Sequence, residues 1–124
     1  MSNAMALRFE VPGPPVPAGR ARVTSRGAYT PERTRAYEHC VAAHAIAAVG
    51  RASSWPRDAE YAVTIELWHG DARRRDVDNG GKSVLDGLTR GGVWGDDSQV
   101  ACLTVRRGLD RERPRAEIRI EVLP

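Results

Sequence analysis

The sequence predicts an α+β domain: a two-layer sandwich of two helices on a mixed four-stranded sheet, in the order β-α-β-α-β-β. Three observations predict it. Apolar and polar residues alternate over 7–11, 61–68 and 116–122, the period of half-buried strands. Apolar residues recur at helical spacing over 37–48 and 79–89. A further apolar stretch, 100–106, supplies a strand between the second helix and the last alternation.

In the first strand Leu7, Phe9 and Val11 face one way and Arg8 and Glu10 the other. It ends at Pro12-Gly13-Pro14-Pro15-Val16-Pro17, which is poor in ladder donors and must run extended. A basic loop with Arg20, Arg22 and Arg26 follows. Thr30-Pro31-Glu32 reads as a helix start, with the Thr30 hydroxyl as N-cap and proline in the first turn. The first helix turns Tyr37, Cys40, Val41, His44, Ala45 and Ala48 inward and is expected to close at Gly50. A polar connector over 51–59 leads to the second strand, where Tyr61, Val63, Ile65 and Leu67 alternate with Ala62, Thr64, Glu66 and Trp68. Polar residues 70–75 precede the second helix, which buries Val84, Leu85 and Leu88 and stops at Gly91-Gly92. Beyond the third strand, a polar turn over 108–114 leads to the fourth, with Ala116, Ile118, Ile120 and Val122 inward.

With 124 residues, 41% hydrophobic and 28% charged, the chain has the make-up of one globular domain, which excludes a disordered protein. Met1-Ser2-Asn3-Ala4 stand before Met5 and read as an expression-tag remnant, so the domain is expected over 5–124. There is no apolar run of membrane-span length and no leader pattern; the expectation is a cytoplasmic protein with no membrane partner and no organic cofactor. Cys40 and Cys102 lack metal or disulfide spacing and are expected to be buried free thiols. Of the 19 basic residues, all but Lys82 are arginine. Residues 1–57 hold eight arginines and three acids; residues 58–124 hold eleven basic residues and thirteen acids. A basic arm beside a carboxylate-bearing half fits a polyanion held against a metal site. An arginine-favouring coding bias on solvated faces gives the same asymmetry.

The segment Arg73-Arg74-Arg75-Asp76-Val77-Asp78-Asn79, with Lys82, Asp86 and the later Asp96-Asp97, carries the chemistry. If Asp76–Asp78 is extended, both carboxylates project to one side and can share a hard cation. A third acid has to come from elsewhere, and Asp97 or its neighbour Asp96 is the obvious source. Carboxylates without thiols or clustered imidazoles suit Mg²⁺, or Mn²⁺, rather than zinc. Crowded acids of this kind repel one another unless a cation or a proton intervenes. Lys82 lies one helical turn beyond Asp78, on the same face as Asn79 and Asp86, where its compact charge can meet a phosphate. Each residue also has a plain structural reading. Asp78 suits the N-cap of the second helix, Lys82 and Asp86 suit an exposed i,i+4 pair, and Asp96-Asp97 suits the start of a turn.

These residues, together with Val11-Pro12-Gly13-Pro14-Pro15-Val16-Pro17, Gly19-Arg20, Arg22, Tyr29-Thr30-Pro31 and Thr34-Arg35, resemble the RusA family of Holliday junction resolvases. The resemblance runs from about Leu7 to Val122. It implies a Mg²⁺-dependent endodeoxyribonuclease, bacterial or phage-encoded, that binds four-way junction DNA as a homodimer. Such an enzyme nicks two strands symmetrically in DNA recombination and repair. Carried over by residue, Asp76, Asp78 and Asp97 become the metal-binding acids and Lys82 the essential base, with Asp96 the weaker candidate. Ala18 and Ala21 depart from the family pattern, which favours Lys and Pro there. Gly80-Gly81 replaces bulkier residues and raises the question of how firmly Lys82 is placed. The alternatives are an inactive junction- or nucleic-acid-binding protein, and a metal-dependent nuclease or phosphatase with another substrate.

Arg20, Arg22, Arg26, Arg73, Arg74 and Arg75 are the expected phosphate contacts, which position a protein without reading sequence. Asn79 and Asp86 are expected to support the acids. His44 reads as a core histidine, while His69, at the end of the second strand, is close enough in the chain to Asp76 for a supporting role. Trp94 reads as packing under a loop, with stacking on an exposed base as the functional alternative.

Overall fold

The computed structural model describes residues 5–19, 22–24, 27–29 and 31–124. Four strands form one sheet in the order β1-β6-β4-β5: β1 (Ala6–Pro12), β6 (Arg115–Val122), β4 (Tyr61–His69) and β5 (Val100–Leu109). β6 runs antiparallel to both β1 and β4, while β4 and β5 are parallel, so the sheet is mixed as the sequence predicts. Helices α1 (Glu32–Arg51) and α2 (Val77–Arg90) lie on one face. No helix among the described residues is long and apolar enough to cross a membrane.

Alternation decides which face is buried. Leu7 and Val11 of β1, Val63, Ile65 and Leu67 of β4, and Ala116, Ile118 and Ile120 of β6 meet Val41, Ala45, Val84 and Leu88 of the helices. Trp55, Tyr61 and Trp94 close one end of this core; Trp94 is buried and its Nε1 donates to Thr89 Oγ1 at 2.8 Å. The opposite sheet face carries charge, with Arg115 over the Trp68 ring and bonded to Asp110 and Glu117.

The helices approach closely because their contact is built from small residues. A methyl added at Gly87 would lie 2.6 Å from Val41 Cβ and 2.9 Å from the Glu38 carbonyl oxygen; one at Gly91 would lie 2.9 Å from Ala45 Cβ. The sheet contact of α2 follows the same rule. A Cβ at Gly80 would meet Leu67 Cδ1 at 2.5 Å, and one at Gly81 would meet Val105 Cγ2 at 2.8 Å. Gly80-Gly81 therefore seats the first turn of α2 on β4 and β5.

Several local expectations are corrected. α1 continues through Gly50 to Arg51, because buried Ala48 and Val49 hold the last turn and their carbonyls accept from Ala52 N–H. Its N-cap position is Pro31, without a side-chain cap; Thr30 lies outside the described residues. α2 begins at Val77 with Asp76, not Asp78, at the N-cap, so Asp76–Asp78 enters a helical turn rather than an extended strand. β5 continues to Leu109 because its parallel register follows β4 out to His69. Cys40 is half-buried and Cys102 is exposed, since β5 is an edge strand with little cover. His44 is also half-buried, with Nδ1 at 2.9 Å from the Cys40 carbonyl oxygen. The basic loop contains a second, two-stranded antiparallel sheet of β2 (Arg22–Thr24) and β3 (Gly27–Tyr29), too short for a sequence period to reveal.

Gly87→Ala is expected to destabilise the fold by about 1–3 kcal/mol in urea unfolding, because overpacking against α1 outweighs the roughly 1 kcal/mol that alanine adds to helix propensity. An unchanged or higher midpoint shows that α1 and α2 can move apart without cost.

Candidate metal and nucleic-acid site

Asp76 stands at the N-cap of α2 and Asp78 in its first turn, both exposed. Asn79 touches both: its backbone N–H donates to Asp78 Oδ1 at 3.0 Å and its Nδ2 to Asp76 Oδ2 at 3.4 Å. No side chain caps the helix, so its leading N–H groups and the positive end of its dipole face the two carboxylates. Arginines engage several other carboxylates of the chain. Asp71 binds Arg75 at 2.8 Å and Glu38 binds Arg90 at 2.9 Å. Among the described residues, neither Asp76, Asp78 nor Lys82 forms an ion pair; Lys82 acts on Asp86 through its charge alone, without a direct contact.

Asp97 is placed elsewhere. It opens a 3-10 turn, Asp97–Gln99, just before β5, and its charge reaches Asp86 midway along α2. Asp86 is about 12 Å along the helix axis from Asp78. Among the described residues no three His, Cys, Asp or Glu side chains stand close enough together to hold a metal ion. Asp96 spends its carboxylate on Ser98 N–H in a capping box with Gln99, so the turn-forming reading describes it.

The N-terminal strap connects the basic arm to this helix. Ala18 N–H donates to the Asn79 carbonyl at 2.9 Å, and the buried Ser83 hydroxyl lies 2.6 Å from the Val16 carbonyl oxygen and 3.0 Å from that of Gly80. Thr34 Oγ1 accepts from Gly19 N–H and donates to the Pro17 carbonyl, both at 3.1 Å. Arg20 and Arg26 lie outside the described residues, and Arg22 opens β2. Arg73 and Arg74 are exposed, while Arg75 is folded back on Asp71.

His69, Arg75, Asp76 and Arg107 line one small cavity with Pro15 and Pro17, which places His69 beside Asp76. Burial, then Arg75 and Arg107, hold the His69 pKa below its ordinary value against the pull of Asp71. Sequence reasoning missed three residues. Glu38 is a buried acid on the apolar stripe of α1, paired with the exposed Arg90. Ser83 is a serine within the buried face of α2. Arg107 is an arginine on the inward parity of β5. Burial pushes the Asp86 carboxyl above its usual range, reinforced by Glu38 and Asp97 and opposed by Lys82 and Arg90.

A family model described as endodeoxyribonuclease RusA matches residues 12–121, and the chain belongs to that family. The crossover junction endodeoxyribonuclease RusA of Escherichia coli (strain K12) is 50% identical over 38 residues, covering 31% of this chain and 32% of that protein. The proteins of that name from Shigella sonnei (strain Ss046) and Enterobacteria phage 82 match at the same identity and extent. The aligned part is thus about a third of the length of these relatives.

Two outcomes follow from this geometry. A carboxyl whose folded pKa is raised weakens the fold above that pKa and has no such effect below its unfolded value. Asp86→Asn is therefore expected to raise the melting temperature near pH 7, with the gain vanishing by about pH 3; a gain that persists in acid rules out titration as its cause. Ser83→Ala is expected to cost about 1–2 kcal/mol and to speed hydrogen exchange at the Ala18 amide. Unchanged exchange shows that the strap is held without Ser83.

Proposed function

We propose that the chain is a divalent-metal-dependent endodeoxyribonuclease that resolves four-way DNA junctions by two symmetric nicks, acting as a homodimer in the cytoplasm of a bacterium. The observation that carries this reading is the paired Asp76 and Asp78 at an uncapped helix N-terminus, within the segment matched to the nuclease family. Their oxygen-only donor set fits Mg²⁺ or Mn²⁺; Mg²⁺ is commonly held by one or two carboxylates, waters and a substrate phosphate. Asp76 and Asp78 would hold the ion, which would supply Lewis acidity and an activated water for attack on the phosphodiester; Asp97, the third acid the family resemblance implies, stands apart from them near Asp86 within one chain.

The protein groups have distinct tasks. Asn79 keeps the two carboxylates beside each other. Lys82, exposed one turn further along α2 without an ion-pair partner among the described residues, offers a point charge to the phosphate or the leaving oxygen. The leading amides of α2 favour an anion at the same end. Arg73 and Arg74, with the arm bearing Arg20, Arg22 and Arg26, hold backbone phosphates and set register without base reading. A single domain with one set of acids makes one cut, and a two-fold pair makes the matched second cut.

A labelled four-way junction and a linear duplex of the same sequence, each with Mg²⁺ or chelator, test the proposal. Paired nicks in the junction that require the metal are expected. Altering residues that merely support a metal ligand costs about 10–100-fold, so Asp78→Asn is expected to slow cleavage by more than about 100-fold. Lys82→Met is expected to cost about 100–1000-fold. Tight junction binding without cleavage in Mg²⁺ or Mn²⁺ overturns the catalytic reading, and equal cutting of the linear duplex overturns the junction selectivity. Affinity should fall steeply with salt.

A further inference from the structure

Arg107 is left without a carboxylate partner on the side of β5 that faces α2. The parallel register sets it level with Leu67 of β4, and Leu67 lies directly under Gly80, where a methyl would come within 2.5 Å of its Cδ1. Two residues earlier on the same side of β5, Val105 lies under Gly81. Arg107 therefore follows Val105 toward the start of α2, about 5 Å across the sheet from the residue that seats the first turn. It is exposed, and it lines the small cavity that also holds His69, Arg75 and Asp76.

The other arginines at this end of the sheet are occupied. Arg75 is bonded to Asp71, Arg113 to Glu10, and Arg115 to Asp110, each at 2.8 Å. Among the described residues, Arg107 has no ion pair, and neither has Asp76, which lines the same cavity. A guanidinium and a carboxylate set side by side without neutralising each other leave a place with both signs. The carboxylate is free for a cation and the guanidinium for an anion. The cavity is too small for a phosphate, so an anion meets Arg107 on its exposed side.

We propose that Arg107 is a catalytic residue, whose forked N–H groups hold the non-bridging oxygens of the phosphate to be cut, beside Asp76. This rests on the nuclease reading above. As the water oxygen bonds to phosphorus and the bond to the leaving sugar oxygen breaks, negative charge grows on those oxygens. A proton leaves the water and one reaches the leaving oxygen; Arg107 stays charged and transfers none. A planar fork can bind two of these oxygens at once, which a lysine cannot do. Its place on a strand also fixes it more firmly than Arg73 and Arg74, which lie outside helix and strand.

Junction binding in chelator and single-turnover cleavage in Mg²⁺ separate this role from simple positioning. Arg107→Ala is expected to slow cleavage by at least about 100-fold at saturating enzyme. The junction Kd should rise by less than about 10-fold, because many other phosphates are held, and the circular dichroism spectrum should not change. Arg107→Lys keeps the charge and loses the fork: it should restore the Kd and recover no more than about a tenth of the rate. A series of junctions, each with one uncharged methylphosphonate at a phosphate flanking the branch, locates the contact by binding alone. At the phosphate that is cut, the replacement should weaken the wild type and leave Arg107→Ala indifferent. Elsewhere it should weaken both alike. A loss of less than about 10-fold in the Arg107→Ala rate, with wild type active, overturns the catalytic role. Equal losses in both proteins at every position overturn the contact and leave the nuclease reading standing. A wild type that binds the junction without cutting it in Mg²⁺ or Mn²⁺ overturns the nuclease reading, and the methylphosphonate series then still decides whether Arg107 holds a phosphate.

Discussion

Parallel strands cannot be joined by a tight turn, and the pairing of β4 with β5 obliges the chain to cross the sheet between them. α2 is that crossing. Its first turn must rise from the His69 end of β4, and the chain must return to the sheet at the Tyr61 end to begin β5. The position of every acid follows. Asp76 and Asp78 fall where the crossing starts, Asp97 where it finishes, and the length of α2 separates them. A short window of sequence thus becomes two ends of a sheet.

The crossing is held down from both sides. Beneath it, Gly80 and Gly81 permit contact with Leu67 and Val105, and Gly87 and Gly91 permit contact with α1. Above it, the proline-rich strap bonds to Asn79 and Ser83, so the segment that leads from β1 to the basic arm touches the turn that presents the carboxylates. The connection is short and made mostly of backbone groups. The arm and the acids therefore share one foundation, although their residues lie some sixty positions apart in the chain.

The layers and strand order were legible because alternation and helical period report directly on which face is buried. Leu7–Val11 and the odd positions of β4 follow that pattern throughout. The site was legible as residue types and less so as geometry. Asp78 and Asp76 are equally good caps by composition, and the structure puts Asp76 before the helix, whose first turn seats Gly80 on Leu67. β5 was the element hardest to judge. Its apolar content reads as a buried strand, yet Cys102, Leu103 and Leu109 are exposed, because a single chain's sequence pattern does not state which surface supplies the cover. Glu38 was hidden for the opposite reason: a buried acid is recognised by its partner, and Arg90 is fifty-two positions away.

The seating of α2 on the sheet ties two sets of positions that would otherwise drift independently over evolutionary time. Relatives with bulkier residues at 80 and 81 have to carry smaller ones at 67 and 105, or hold the crossing farther from the strands. Substitution at the buried Leu67 or the half-buried Val105 then becomes a way of retuning where the carboxylates stand. Covariation between these four positions is the trace that such a coupling leaves in a family of sequences.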